Sequence, residues 1–174
     1  RPLQHQGVAI HAAHAGYVQH VDVSVLQACA EQARLRVVVA ALPGTFAAPG
    51  VPLAWIQVAP GGPAVHDTAP FVNAFLIGEQ RQFDDDPRFG LVVLSQIAGR
   101  ALSPAVNDPG TAIDIIGALV RLFMQWAQPA APDAAACTHD RVEVPALQVE
   151  DMFDDAFTSL ARDGAPMVRS EERR

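Results

Sequence analysis

A chain of 174 residues, half of them apolar and 18% charged, can bury a hydrophobic core and is too apolar for a disordered tail. Its formal charge of -7, with no cation cluster beyond the terminal RSEERR, excludes a nucleic-acid-binding face, because neutralising phosphates requires grouped positive charge. Every cation is an arginine, so lysine Schiff bases, biotinyl or lipoyl attachment and lysine-bearing phosphate loops are excluded as well.

Cys29 and Cys137 stand far apart without metal-type spacing, which fits a reducing, cytoplasmic setting. The start RPLQHQ has no apolar signal region, and the most apolar run, Ala112 to Ala127, is broken by Asp114 and Arg121. The chain begins without methionine, and we expect it to be a soluble piece of a longer protein.

From Gly7 to Asp22, short strand-like runs flank Gly16, predicting strands near Val8 to Ala13 and Tyr17 to Val21. Asp22 or Ser24 offers an N-cap, and Val25, Leu26, Cys29, Ala30 and Ala33 fall at helical spacing, ending by Arg34. LRVVVAAL reads as a buried strand. Pro43-Gly44 and Pro49-Gly50 then punctuate short extended pieces through Leu53, Trp55 and Ile56. Asp67 is placed to cap a short helix through Phe75, and LIGEQRQF to run extended, aiming Arg81 at the acidic run that follows.

Asp86-Pro87 signals a helix start, with Phe89, Val93, Ile97 and Ala101 as one stripe and Leu94, Ala98 and Leu102 beside it. Ser103-Pro104 ends that helix, and Asn107-Asp108-Pro109 starts another carrying Ile113, Ile116, Leu119, Val120, Phe123 and Trp126. The two should pack as a hairpin. Pro129 to Ala136 reads as a linker, and RVEVPAL as an edge strand because of Pro145. The final helix should present Met152, Phe153, Phe157, Leu160 and Ala161 to the core and stop at Gly164.

The elbow between the paired helices gathers the polar chemistry. Arg100 and Asp114 are both embedded in apolar text, and a buried charge is costly unless paired, which suggests a structural clamp from Arg100 to Asp114 or Asp108. The functional alternative makes Arg100, Ser103, Asn107, Asp108 and Thr111 the lining of a small anionic or polar ligand site, aided by amides at the second helix start. A capping Asp108 already occupies part of that anion position. Ser103 as a hydrolytic nucleophile lacks a GxSxG turn, and the histidines lie in other segments. His11 and His14 face opposite sides of a strand, Asp84-Asp85-Asp86 lacks calcium-loop spacing, and CTHD from Cys137 has too few ligands for zinc. No metal site, catalytic residue or cofactor is expected.

GYVQHVD at Gly16, PGTFAAPGVPL at Pro43, DPRFGL at Asp86, RALSPAVNDPGTA at Arg100 and FDDAFTSLARDG at Phe153 resemble, in this order, an uncharacterised bacterial family of predicted membrane proteins. The resemblance spans Val8 to Gly164, and RALSP-x-x-NDP-x-TA is its specific string. Ala105 stands where the family usually has glycine, and Ser95-Gln96 replaces its usual Val-Asp, removing an acid from that helix. The resemblance implies an N-terminal set of membrane spans followed by a soluble domain of unknown activity, this chain being the latter. The β text is also similar to biotinyl or lipoyl carriers and to soluble modules on cation channels, and the missing lysine removes the carriers.

We therefore expect an α+β fold: a small N-terminal β barrel or sandwich packed on a helical part with a central helix hairpin. One soluble domain is expected, with residues 7–60 β-rich, 67–128 helical, 129–140 a linker, and 141–164 the edge strand and final helix. The leading functional expectation is a sensing or regulatory domain of a bacterial inner-membrane protein, on the cytoplasmic side, binding a small anionic or polar ligand near the elbow or at a subunit interface. A homo-oligomeric assembly platform using Phe89, Phe123 and Trp126 is the second, and a hydrolase using Ser103 or the Asp84 to Asp86 cluster the third. Expected partners are the protein's own transmembrane segment, outside this chain, and further copies of itself.

Overall fold

Apolar, β-branched runs broken by Gly16, Pro43-Gly44 and Pro49-Gly50 form short strands, while the two Asp-Pro junctions open long helices. The computed structural model describes residues 7–58, 65, 67–128 and 139–171. Two compact units result. One runs to Asp86 and takes back the segment ending at Ala146; the other starts at Pro87 and resumes at Leu147.

The first unit contains β1 (Val8–His11), β2 (Gly16–Val21), α1 (Val23–Ala33), β3 (Arg36–Val39), β4 (Phe46–Ala47), β5 (Pro52–Gln57), α2 (Ala69–Val72), β6 (Phe75–Gly78) and, later in the chain, β7 (Val142–Glu143). One sheet has the order β1-β5-β3-β7, antiparallel except for the parallel pairing of β3 with β7. The other, β4-β2-β6, is antiparallel. Both keep open edges, so of the expected barrel or sandwich the unit takes the sandwich-like form. Ile10, Val18, Leu26, Val37, Leu53, Ile56 and Phe71 are buried together in its core.

Local chemistry explains the turns. Asp22 caps α1 by accepting from the Val25 amide at 2.9 Å, and Arg34 ends the helix in the left-handed region at φ 56°. The short helix stops at Val72, earlier than the expected Phe75, because Phe75 already pairs with Val21 in the sheet. Asp67 accepts from the Ala69 amide at 2.9 Å, one residue ahead of Thr68, which stands at the N-cap position.

Arg81 meets the acidic run as expected: its Nε donates to Asp86 Oδ2 at 2.7 Å and its Nη2 to Oδ1 at 3.0 Å. Asp86 is 3% exposed. Gly44, at φ +88°, lies so close to that carboxylate that any Cβ there would collide with it.

The second unit contains α3 (Pro87–Ala101), α4 (Pro109–Trp126), α5 (Val149–Phe153), a π-helical turn over Asp154–Thr158, and α6 (Ser159–Glu171). Here α3 packs on α4, on α6 and on the π turn. Arg88 ties α3 to that turn, its Nε donating to Asp155 Oδ2 at 2.5 Å and its Nη1 reaching Asp151 at 3.4 Å. The core is thin: Leu91, Leu119, Met152 and Ala156 form one cluster, and Ala98, Ala112 and Leu160 another.

Several expectations are corrected. The buried face of α3 is Leu91, Ser95, Ala98 and Ala101, and Ile97 of the predicted stripe is exposed. Small side chains at these positions admit a neighbouring helix more closely than the larger ones one turn-face away. In the C-terminal segment Met152 and Leu160 are buried and Phe157 half-buried as expected, with Ala156 covered beside them, while Phe153 and Ala161 are exposed where a π turn over Asp154–Thr158 interrupts the α-helical spacing. The helix passes through Gly164, which a helix interior tolerates at modest cost.

Residues 67–86, expected with the helices, join the β-rich unit because β6 pairs with β2. The predicted edge strand likewise joins it through β3, so it parts from the final helix. The predicted linker from Pro129 to Ala136 and the start of CTHD lie outside the described residues.

Candidate functional site

The elbow between α3 and α4 is held by its own backbone. Ser103 Oγ donates to the Arg100 carbonyl at 2.7 Å, the Asn107 amide reaches the Ser103 carbonyl at 2.8 Å, and the Asp108 amide reaches the Ala101 carbonyl at 2.8 Å. Asn107 takes a left-handed conformation at φ 50°, which asparagine adopts more readily than most residues. Asp108 then caps α4, accepting from Thr111 Oγ1 at 2.6 Å and from the Thr111 amide at 3.2 Å. The Thr111 hydroxyl first, then the Thr111 and Gly110 amides, hold the Asp108 carboxyl below its ordinary range, against a small opposing effect of burial.

The structure thus gathers Ser103, Asn107, Asp108 and Thr111 within one turn, but as a cap. Its anion position is taken by the Asp108 carboxylate. Arg100 and Asp114 are both exposed, and among the described residues no ion pair joins Arg100 to Asp114 or Asp108. The expected clamp rested on both charges being buried. Ala98 and Ala101 occupy the covered face of α3, which turns Arg100 outward.

Other sequence candidates disperse. Asp85 Oδ2 lies 2.5 Å from His20 Nδ1, and Asp86 binds Arg81, so the acidic run is divided between a histidine and an arginine. Among the described residues no group of three histidines, cysteines, aspartates or glutamates is placed to hold a metal ion. The second unit, which contains Ser103, has no histidine in its sequence.

What the sequence reading missed lies on α4. Ala112 and Leu119 are buried, with Ile115 and Phe123 partly so. On another face, Ile113 is 66% exposed, Ile116 36%, Val120 46% and Met124 67%. At 3.6 residues per turn these four, spaced 3, 4 and 4 apart, form a single stripe. Periodicity places Ile113, Ile116 and Val120 on the second helix of the hairpin without saying which of them its partner covers. The available signal was composition: α4 has only Asp114 and Arg121 as charges in 18 residues, so it is apolar on more sides than one hairpin partner covers.

Near the end of α4, Pro87, Leu91, Leu122, Phe123, Trp126 and Met152 line a cavity of about 110 Å³. Phe123, Phe153 and Phe157 cluster beside it, with ring centroids 4.4 to 5.9 Å apart. Together with the stripe, this makes the α4 side of the second unit apolar. Such a surface can remove area from water against another apolar partner.

Among the described residues no helix is long and apolar enough to cross a membrane. No solved structure matches the chain. An uncharacterized protein of Mycobacterium bovis and one of Mycobacterium tuberculosis are each 36% identical over 129 residues, covering 72% of this chain and 25% of the relative. The chain therefore spans about a quarter of the length of the curated relatives it matches. The family model described as "Predicted membrane protein (DUF2254)" matches residues 1–170, and the chain belongs to that family of unknown function.

Proposed function

We propose that this chain is an extramembrane assembly domain of a bacterial membrane protein, bringing copies of that protein together through its helical unit. The observation that carries the reading is the uncovered stripe of Ile113, Ile116, Val120 and Met124 on α4. Exposed apolar area of this kind, on one regular element, marks an association surface more often than a monomer surface. Membership of a predicted membrane protein family supports the setting, and the widely separated cysteines support the cytoplasmic side. Multi-angle light scattering on the chain tests the reading. A mass that rises with concentration supports it, and a monomer at every concentration removes it.

A sensing role at the elbow is the second reading. It is favoured by the exposed Arg100 guanidinium, which has no ion pair among the described residues and lies one turn from Ser103. Calorimetric titration with inorganic phosphate tests it. Saturable heat that Arg100→Gln abolishes supports the reading, and no heat at millimolar phosphate removes it.

A further inference from the structure

The charges flanking the apolar stripe specify how two copies meet. Asp114 and Arg121 are the only charged residues of α4, both are exposed, and neither has an ion-pair partner among the described residues. They are seven residues apart, two helical turns or about 10 Å, and so lie on the same edge of the helix, with Gly117 between them. The pattern has a centre. Asp114 and Arg121 are symmetric about the junction of Gly117 and Ala118, and Ile116 and Val120 about Ala118 itself. Ile113 and Met124 share that midpoint to within a residue.

We propose that α4 pairs with α4 of a second copy, antiparallel about a two-fold axis at residues 117–118, and this rests on the assembly reading above. A two-fold interface places the same patch on both copies, so each feature must be complementary to its own rotated image. Antiparallel pairing brings Asp114 of one copy opposite Arg121 of the other, twice, along one rim. Ile116 and Val120 then face each other at the centre, with Ile113 and Met124 outside them. A parallel two-fold pair carries the charged rims to opposite sides and leaves all four charges unpaired. Charge complementarity therefore selects the antiparallel arrangement.

Charge reversal tests the pairing by sedimentation equilibrium at low salt, with circular dichroism to check helicity. Asp114→Arg places arginine against Arg121, and Arg121→Asp places aspartate against Asp114, so each single variant should self-associate at least about tenfold more weakly. The double variant Asp114→Arg with Arg121→Asp restores both pairs and should regain most of the lost affinity. An equimolar mixture of the two single variants should form a heterodimer more readily than either forms a homodimer. If the unmodified chain associates while single reversals leave its affinity unchanged, or weaken it without rescue in the double variant, the pairing is wrong and the assembly reading stands. If the unmodified chain stays monomeric, another occupant covers the stripe and both fall.

Discussion

Replacing Met124 by alanine separates the surface role of α4 from its role in the fold. Met124 is 67% exposed, so its side chain contributes little to the core, and alanine is at least as good a helix former. Fully burying a methionine is worth about 2 kcal/mol, so covering the exposed two-thirds contributes about 1.4 kcal/mol per copy. A two-fold interface counts that contribution twice, giving about 3 kcal/mol, or about a hundredfold in dissociation constant. Alanine retains the Cβ, so this is the upper end of the effect. Sedimentation equilibrium reads the dissociation constant, and thermal unfolding of dilute protein reads the fold. The expected result is weakened association with an unfolding midpoint within a few degrees of the original. Unchanged association would refute the reasoning, because an uncovered Met124 would then be solvated in both states.

Four further substitutions test the two units. Leu119 is fully buried in the thin core of the second unit, so Leu119→Ala should lower stability by about 3 kcal/mol in denaturant titration. Arg81→Met leaves the buried Asp86 without its bidentate partner and should cost about 3 kcal/mol, more than Arg162→Met, whose pairing with Asp163 is exposed. The Asp108 carboxyl is held below its ordinary value of 3.8, so its cap stabilises α4 fully above that pH and is lost as pH falls through the lowered value. Asp108→Asn, which keeps an acceptor but no titrating group, should flatten the acid limb of a helicity titration; an unchanged limb would remove Asp108 from it.

The sequence disclosed local punctuation well. Asp22 and Asp108 mark real helix starts because a capping oxygen acts through neighbouring backbone alone, and Pro70, Pro87 and Pro109 fall in the first turns of α2, α3 and α4. Strand positions around Gly16, Val37 and Ile56 were equally legible from their apolar runs. Which side of a helix is buried was not. For α3 the apolar residues surround the axis, and the covered face of Leu91, Ser95, Ala98 and Ala101 takes one residue from each of the two stripes that periodicity offers. The π turn interrupts the α-helical spacing of the C-terminal segment, which no residue in FDDAFT announces.

The candidate site follows the same division. The cap made by Ser103, Asn107, Asp108 and Thr111 was visible as a string, whereas the exposure of Arg100 and Asp114 depended on the helix faces. Ile113, Ile116 and Val120 are legible as apolar residues of the second helix, but hydrophobicity alone does not distinguish a core from an interface.

Methyl NMR of the 18.5 kDa chain across a dilution series tests the central claim most directly. If α4 is the association surface, concentration-dependent shifts will concentrate on Ile113, Ile116, Val120 and Met124, while Ile10, Leu53 and Ile56 in the first core stay fixed. Shifts confined to the exposed Leu76 or Val51 of the first unit, or none at any concentration, would contradict it.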